Sequence, residues 1–106
     1  MDPLKMRAAD QRLEGALCNV VELLRESGED FWKEKLERTL GDIRMAKKDT
    51  EYLQGEIESW FGGMGSLNDL IIAKENGHNV SDEEAATLNR KLDRARLLLY
   101  QEVQRP

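Results

Sequence analysis

The chain has 106 residues, 40% of them hydrophobic, and its 21 acidic side chains outnumber 16 basic ones to leave a formal net charge of -5. A chain of this size buries about 65% of its extended surface, so one modest core and a single helical domain over residues 1–106 are expected. The acidic balance excludes a general nucleic-acid binder, the longest apolar runs (70–73 and 97–100) fall far short of a bilayer span, and the lone Cys18 excludes an internal disulfide.

The first residues, Met1-Asp2-Pro3-Leu4-Lys5-Met6-Arg7, lack the apolar stretch of a signal peptide, and a cytoplasmic location is expected. Over 4–27 the apolar residues Met6, Leu13, Leu17, Val20, Val21 and Leu24 recur at helical spacing, and Ser27-Gly28 supplies the stop. A second helix is predicted over 29–48. Glu29 and Asp30 open it and Lys47 and Lys48 close it, which complements the helix dipole, and Phe31, Trp32, Leu36, Leu40 and Ile43 form its apolar face. The short join makes the two helices an antiparallel hairpin. Asp49-Thr50 can cap a third helix to about residue 60, with Tyr52, Leu53, Ile57 and Trp60 or Phe61 turned inward.

Gly62-Gly63-Met64-Gly65 breaks that helix, and Ser66 with Asp69 has the spacing of a capping box for a short restart. The Asn76-Gly77 dipeptide favours a tight turn, so a small β-hairpin is expected over 70–80. Ser81 and Glu84 form a capping box for the last helix, whose apolar positions are Leu88, Leu92, Ala95, Leu99 and Val103. The fold expected is therefore all-α, a four-helix bundle-like domain with a Gly-rich loop.

Few residues suggest catalysis. His78, the only histidine, sits beside the Asn76-Gly77 turn, where an exposed or locally hydrogen-bonded role outweighs that of a base. One His and one Cys do not make a zinc site without several carboxylates, so no metal, no cofactor and no catalytic residue are expected. A Gly-rich loop can present N–H groups to a phosphate, yet the P-loop pattern is absent and acids surround the loop. Charge is more informative. Residues 49–73 contain Asp49, Glu51, Glu56, Glu58 and Asp69 and no base. Beside them lie Trp60, Phe61 and Met64, residue types found at interface hot spots, although the two aromatics also suit the core.

The run Trp60-Phe61-Gly62-Gly63-Met64-Gly65-Ser66-Leu67-Asn68-Asp69-Leu70, with Asn76-Gly77-His78, Asn89, Leu92 and Tyr100 downstream and Gly28-Glu29-Asp30 with Trp32 upstream, resembles a family of small bacterial single-domain proteins of unknown function. Those proteins carry an FGGMGS-F-NDL core, and Leu67 stands here where the family often has an aromatic. The resemblance implies a protein of the type found beside secretion-delivered toxins, and it carries no catalytic residue.

Together these readings lead to an immunity- or antitoxin-like binding protein that neutralises a basic toxin or effector domain by occluding its cleft. The expected partner-binding residues are Asp49, Glu51, Glu56, Glu58, Trp60, Phe61, Gly62, Gly63, Met64, Gly65, Ser66, Asn68 and Asp69. The alternative is a sensor of phosphate-containing metabolites built on the Gly-rich loop. An enzyme would require Asp69 and His78 to converge, and an exposed apolar stripe on the last helix leaves a homodimer open.

Overall fold

The computed structural model describes residues 7–105, which form four α-helices and two 3-10 turns. Helix α1 spans Ala8–Ser27, α2 Asp30–Arg44, α3 Thr50–Glu58 and α4 Asp82–Val103, with 3-10 turns at Leu67–Asp69 and Lys74–Asn76. The expected helical residues before residue 7, Met6 among them, lie outside the described residues.

Helices α1 and α2 pair as an antiparallel hairpin. Arg25 near the end of α1 meets Glu37 at 3.6 Å, and Arg44 at the end of α2 meets Glu14 near the start of α1 at 3.5 Å. Helix α4 runs back along α1, so that Arg12 meets Glu102 at 3.4 Å, and α3 packs on α4. The buried stripe of each helix follows its period. Leu13, Leu17, Val20, Val21 and Leu24 come from α1, Trp32, Leu36, Leu40 and Ile43 from α2, and Leu88, Leu92, Ala95, Leu99 and Val103 from α4. Leu53 and Ile57 of α3 complete the core with Trp60, Leu67, Ile72 and Val80 from the connections.

Several expectations need correction. Helix α2 stops at Arg44 instead of Lys48, because the chain reverses on Ala46, a non-glycine residue with φ of 51°. The Lys47 N–H bonds the Asp42 carbonyl and the Ala46 N–H bonds the Ile43 carbonyl, the pairing of a Schellman terminus. Phe31 and Tyr52 do not face inward. Phe31 sits edge-on to Trp32 and is 70% exposed, while Tyr52 lies on the open side of α3. Asp49 precedes α3 but its side chain makes no cap. The Thr50 hydroxyl instead donates to the buried Asp10 carboxylate at 2.6 Å, which ties the start of α3 to α1.

No β-hairpin forms over 70–80, and no strand occurs among the described residues. The backbone groups that a neighbouring strand would satisfy are taken by side chains. Asn89 of α4 accepts from the Ile72 N–H at 2.8 Å and donates to the Ile72 carbonyl at 2.9 Å. The Asn76 amide donates to the Ile71 carbonyl, and His78 Nδ1 accepts from the Ala73 N–H at 3.0 Å. Gly77, at φ of 86°, turns the chain after the second 3-10 turn. The capping box of α4 forms as expected. Ser81 accepts from the Glu84 N–H, and Glu84 accepts from the Ser81 N–H, a bond that holds its carboxyl below the ordinary value.

Candidate functional site

Helix α3 turns Leu53 and Ile57 into the core and therefore presents Glu51, Tyr52, Gly55, Glu58 and Ser59 to solvent along one face. Asp49 is exposed just before it. Glu56 stands apart from these acids. It is half-buried, 3.4 Å from Lys48 Nζ, and it accepts from the Thr39 hydroxyl at 3.4 Å. Lys48 also meets Asp42 at 3.0 Å, and that hydrogen bond, with the charge of Glu56, holds its ammonium above the ordinary value. Glu56 is thus tied into the fold, sharing one ammonium with Asp42, and the outward acidic face of α3 consists of Glu51 and Glu58.

After α3 the chain turns outward and returns. Trp60 is a core residue, 4% exposed, and offers a partner no surface. Its carbonyl accepts from the Leu67 N–H at 2.8 Å and closes the base of the 61–66 turn. Gly63 and Gly65, on either side of Met64, have φ of 81° and 75°, a region that a side chain would strain. Met64 is 99% exposed. The expected capping box is corrected: Ser66 makes no side-chain cap, and its Oγ is buried without a hydrogen-bond partner. Asp69 reaches past it to accept from the Gly65 N–H at 3.2 Å. A carboxylate of the chain itself therefore occupies the Gly65 N–H of the loop.

Sequence reasoning passed over Arg96. This buried α4 residue donates to the carbonyls of Leu67 at 2.8 Å, Leu70 at 2.9 Å and Asn68 at 3.4 Å, and its other terminal nitrogen meets Asp93. One guanidinium thus shapes the return of the loop. The signal was available: position 96 lies four residues after Leu92 and three before Leu99, inside the buried stripe.

Between the loop and α4 opens a cleft of about 400 Å³ lined by Phe61, Asn68, Asp93, Arg96, Leu97 and Tyr100. Phe61 is half-buried and packs against Tyr100 with ring centroids 5.2 Å apart. Gly62 and Asn68 are exposed. The structure thus gathers Phe61, Met64, Asn68 and Asp69 at one end, with Glu58 and Glu51 leading back along α3.

His78 belongs to a different part of the molecule. It is buried, not exposed, with Nε2 3.2 Å from Glu29 Oε1, while the other Glu29 oxygen accepts from the Trp32 N–H as the cap of α2. With Nδ1 accepting from the Ala73 N–H, Nε2 is the nitrogen that carries its hydrogen toward Glu29. His78 and Asp69 are engaged with different partners and do not form the pair an enzyme would need. Among the described residues no group of three or more His, Cys, Asp or Glu is placed to hold a metal, and no helix is long and apolar enough to cross a membrane.

A family model described as a domain of unknown function, DUF6966, matches residues 25–81, more than half of the chain. The chain belongs to the DUF6966 family. No curated protein and no solved structure matches it. The DUF6966 region runs from the end of α1 to the cap of α4 and contains α2, α3, the glycine loop and both 3-10 turns. Asn89 and Arg96, which hold its irregular half in place, lie beyond it.

Proposed function

We propose that this chain is a stoichiometric binding protein of the immunity or antitoxin type. In this reading it meets a basic toxin or effector domain in the cytoplasm and covers that domain's active cleft. The observation that carries the proposal is the continuity of the exposed α3 face, Glu51 and Glu58 with Tyr52, into a loop that displays Met64 at 99% exposure. Unpaired outward carboxylates steer a cationic surface into encounter, and an apolar side chain on a held loop anchors it. The run Phe61–Leu70 then serves the family as its recognition unit, with glycines that let Met64 stand clear of the fold. Glu56 is half-buried and held by Lys48 and Thr39, so the charges to test are Glu51 and Glu58.

Tagged protein purified from its host should retain one basic partner at equimolar ratio. The double variant Glu51→Lys/Glu58→Lys should associate with that partner about tenfold more slowly or worse, lose most of its salt dependence, and fail to protect cells that express it. Recovery of the protein alone, or unchanged protection by the double variant, would sink the proposal.

A further inference from the structure

Building on that binding role, we propose that the cleft between the loop and α4 receives a cationic side chain of the partner, with arginine the better fit. The walls match its chemistry. Phe61 and Tyr100 meet at an interplanar angle of 63°, which leaves ring surface open to the cleft on which a guanidinium can stack. Leu97, 56% exposed, offers an apolar wall for the aliphatic stem. Asp93 lines the cleft with its side chain 70% exposed, and the exposed Asn68 amide adds an acceptor.

Arg96 also lines the cleft, but three loop carbonyls and Asp93 engage its guanidinium, and its side chain is only 9% exposed. Asp93 Oδ1 is the partner of Arg96, and Oδ2 of the same exposed carboxylate is left to face an incoming guanidinium.

The test needs no partner. Acetyl-Gly-Arg-Gly-amide, titrated to tens of millimolar into the full chain, should shift the Leu97 methyl and Tyr100 ring resonances with one-site saturation. The citrulline counterpart, equal in shape but uncharged, should bind at least about tenfold more weakly. Tyr100→Ala and Asp93→Asn should each reduce the arginine response while the remaining spectrum stays folded. Absence of shifts at the cleft, equal shifts with citrulline, or line broadening from self-association instead of peptide binding would overturn the proposal. If the peptide fails while Glu51→Lys/Glu58→Lys still abolishes protection, the cleft falls and the binding role stands; the reverse pattern removes the role and keeps the cleft.

Discussion

Arg96 is the residue on which the irregular half of the chain depends. A buried guanidinium is costly unless its donors are satisfied, and here three backbone carbonyls and a carboxylate satisfy them. The Leu67 carbonyl otherwise holds only the Leu70 N–H of the 3-10 turn, and the Leu70 carbonyl lies just beyond that turn. Arg96→Met should remove these bonds while leaving the apolar stem, and lower unfolding free energy by about 2–4 kcal/mol. Arg96→Lys retains the charge and one nitrogen for the carbonyls but not the second nitrogen that meets Asp93, so it should fall between wild type and Arg96→Met. Urea denaturation of the three proteins with unchanged slope checks both values; a loss below about 1 kcal/mol in Arg96→Met would show that the loop stands without this clamp. At this scale the sequence was least legible. Arg96 was passed over although it sits in an apolar register, and His78 beside an Asn-Gly pair reads as an exposed or locally hydrogen-bonded turn residue, of which only the local bond, to the Ala73 N–H, is found. Both are buried because residues distant in sequence, Leu67 to Leu70 for one and Glu29 for the other, complete their hydrogen bonds.

Among the elements, two helix ends make the contrast clear. Helix α1 stops with Glu29 N–H on the Leu24 carbonyl and Gly28 N–H on that of Arg25, with Gly28 at φ of 75°. Helix α2 stops with the same pair of bonds, but Ala46 occupies the left-handed position. The first end was readable because glycine announced it; the second was not, because alanine is the best helix former and Lys47 and Lys48 suit a continuing helix. Alanine pays about 1–2 kcal/mol in that region, which glycine avoids at the expense of greater freedom in the unfolded chain. Ala46 is exposed, so no packing is lost on its replacement. Ala46→Gly should therefore stabilise the protein by about 0.5–1 kcal/mol, seen as a higher urea midpoint. A destabilised variant would mean that the turn is not left-handed in solution. The strand expectation failed for a related reason: Asn76-Gly77 does specify a turn, but the groups that would have made it a hairpin bond to Asn89 and His78 instead.

Across the whole molecule, α1 is the hub, packed against both α2 and α4, whereas α3 packs on α4 and is fastened at its start by the Thr50–Asp10 bond. The four-helix order was legible because the hydrophobic period marks α1, α2 and α4, with Gly28 marking the end of α1 and the Ser81–Glu84 box the start of α4. The loop's place on α4 was not, since it rests on side chains outside the motif. Helices that share two neighbours should open only with the whole fold, while α3 and residues 60–70, tied by fewer contacts, should open first. Hydrogen exchange should thus give the amides of Leu17, Leu24, Leu92 and Leu99 the global unfolding free energy, and those of Leu53 and Ile57 a lower one. Equal values in both groups would make the molecule one cooperative unit. The hierarchy matters for binding, because the face that carries Glu51, Glu58 and Met64 is then the face with the smallest opening energy. Arg96→Met removes bonds that are broken both when 60–70 opens and when the whole chain unfolds, so protection in the loop and in α1 should fall by the same amount, about 2–4 kcal/mol. A fall in α1 with unchanged protection in 60–70 would mean that the bonds survive loop opening and that the clamp does not hold the binding surface.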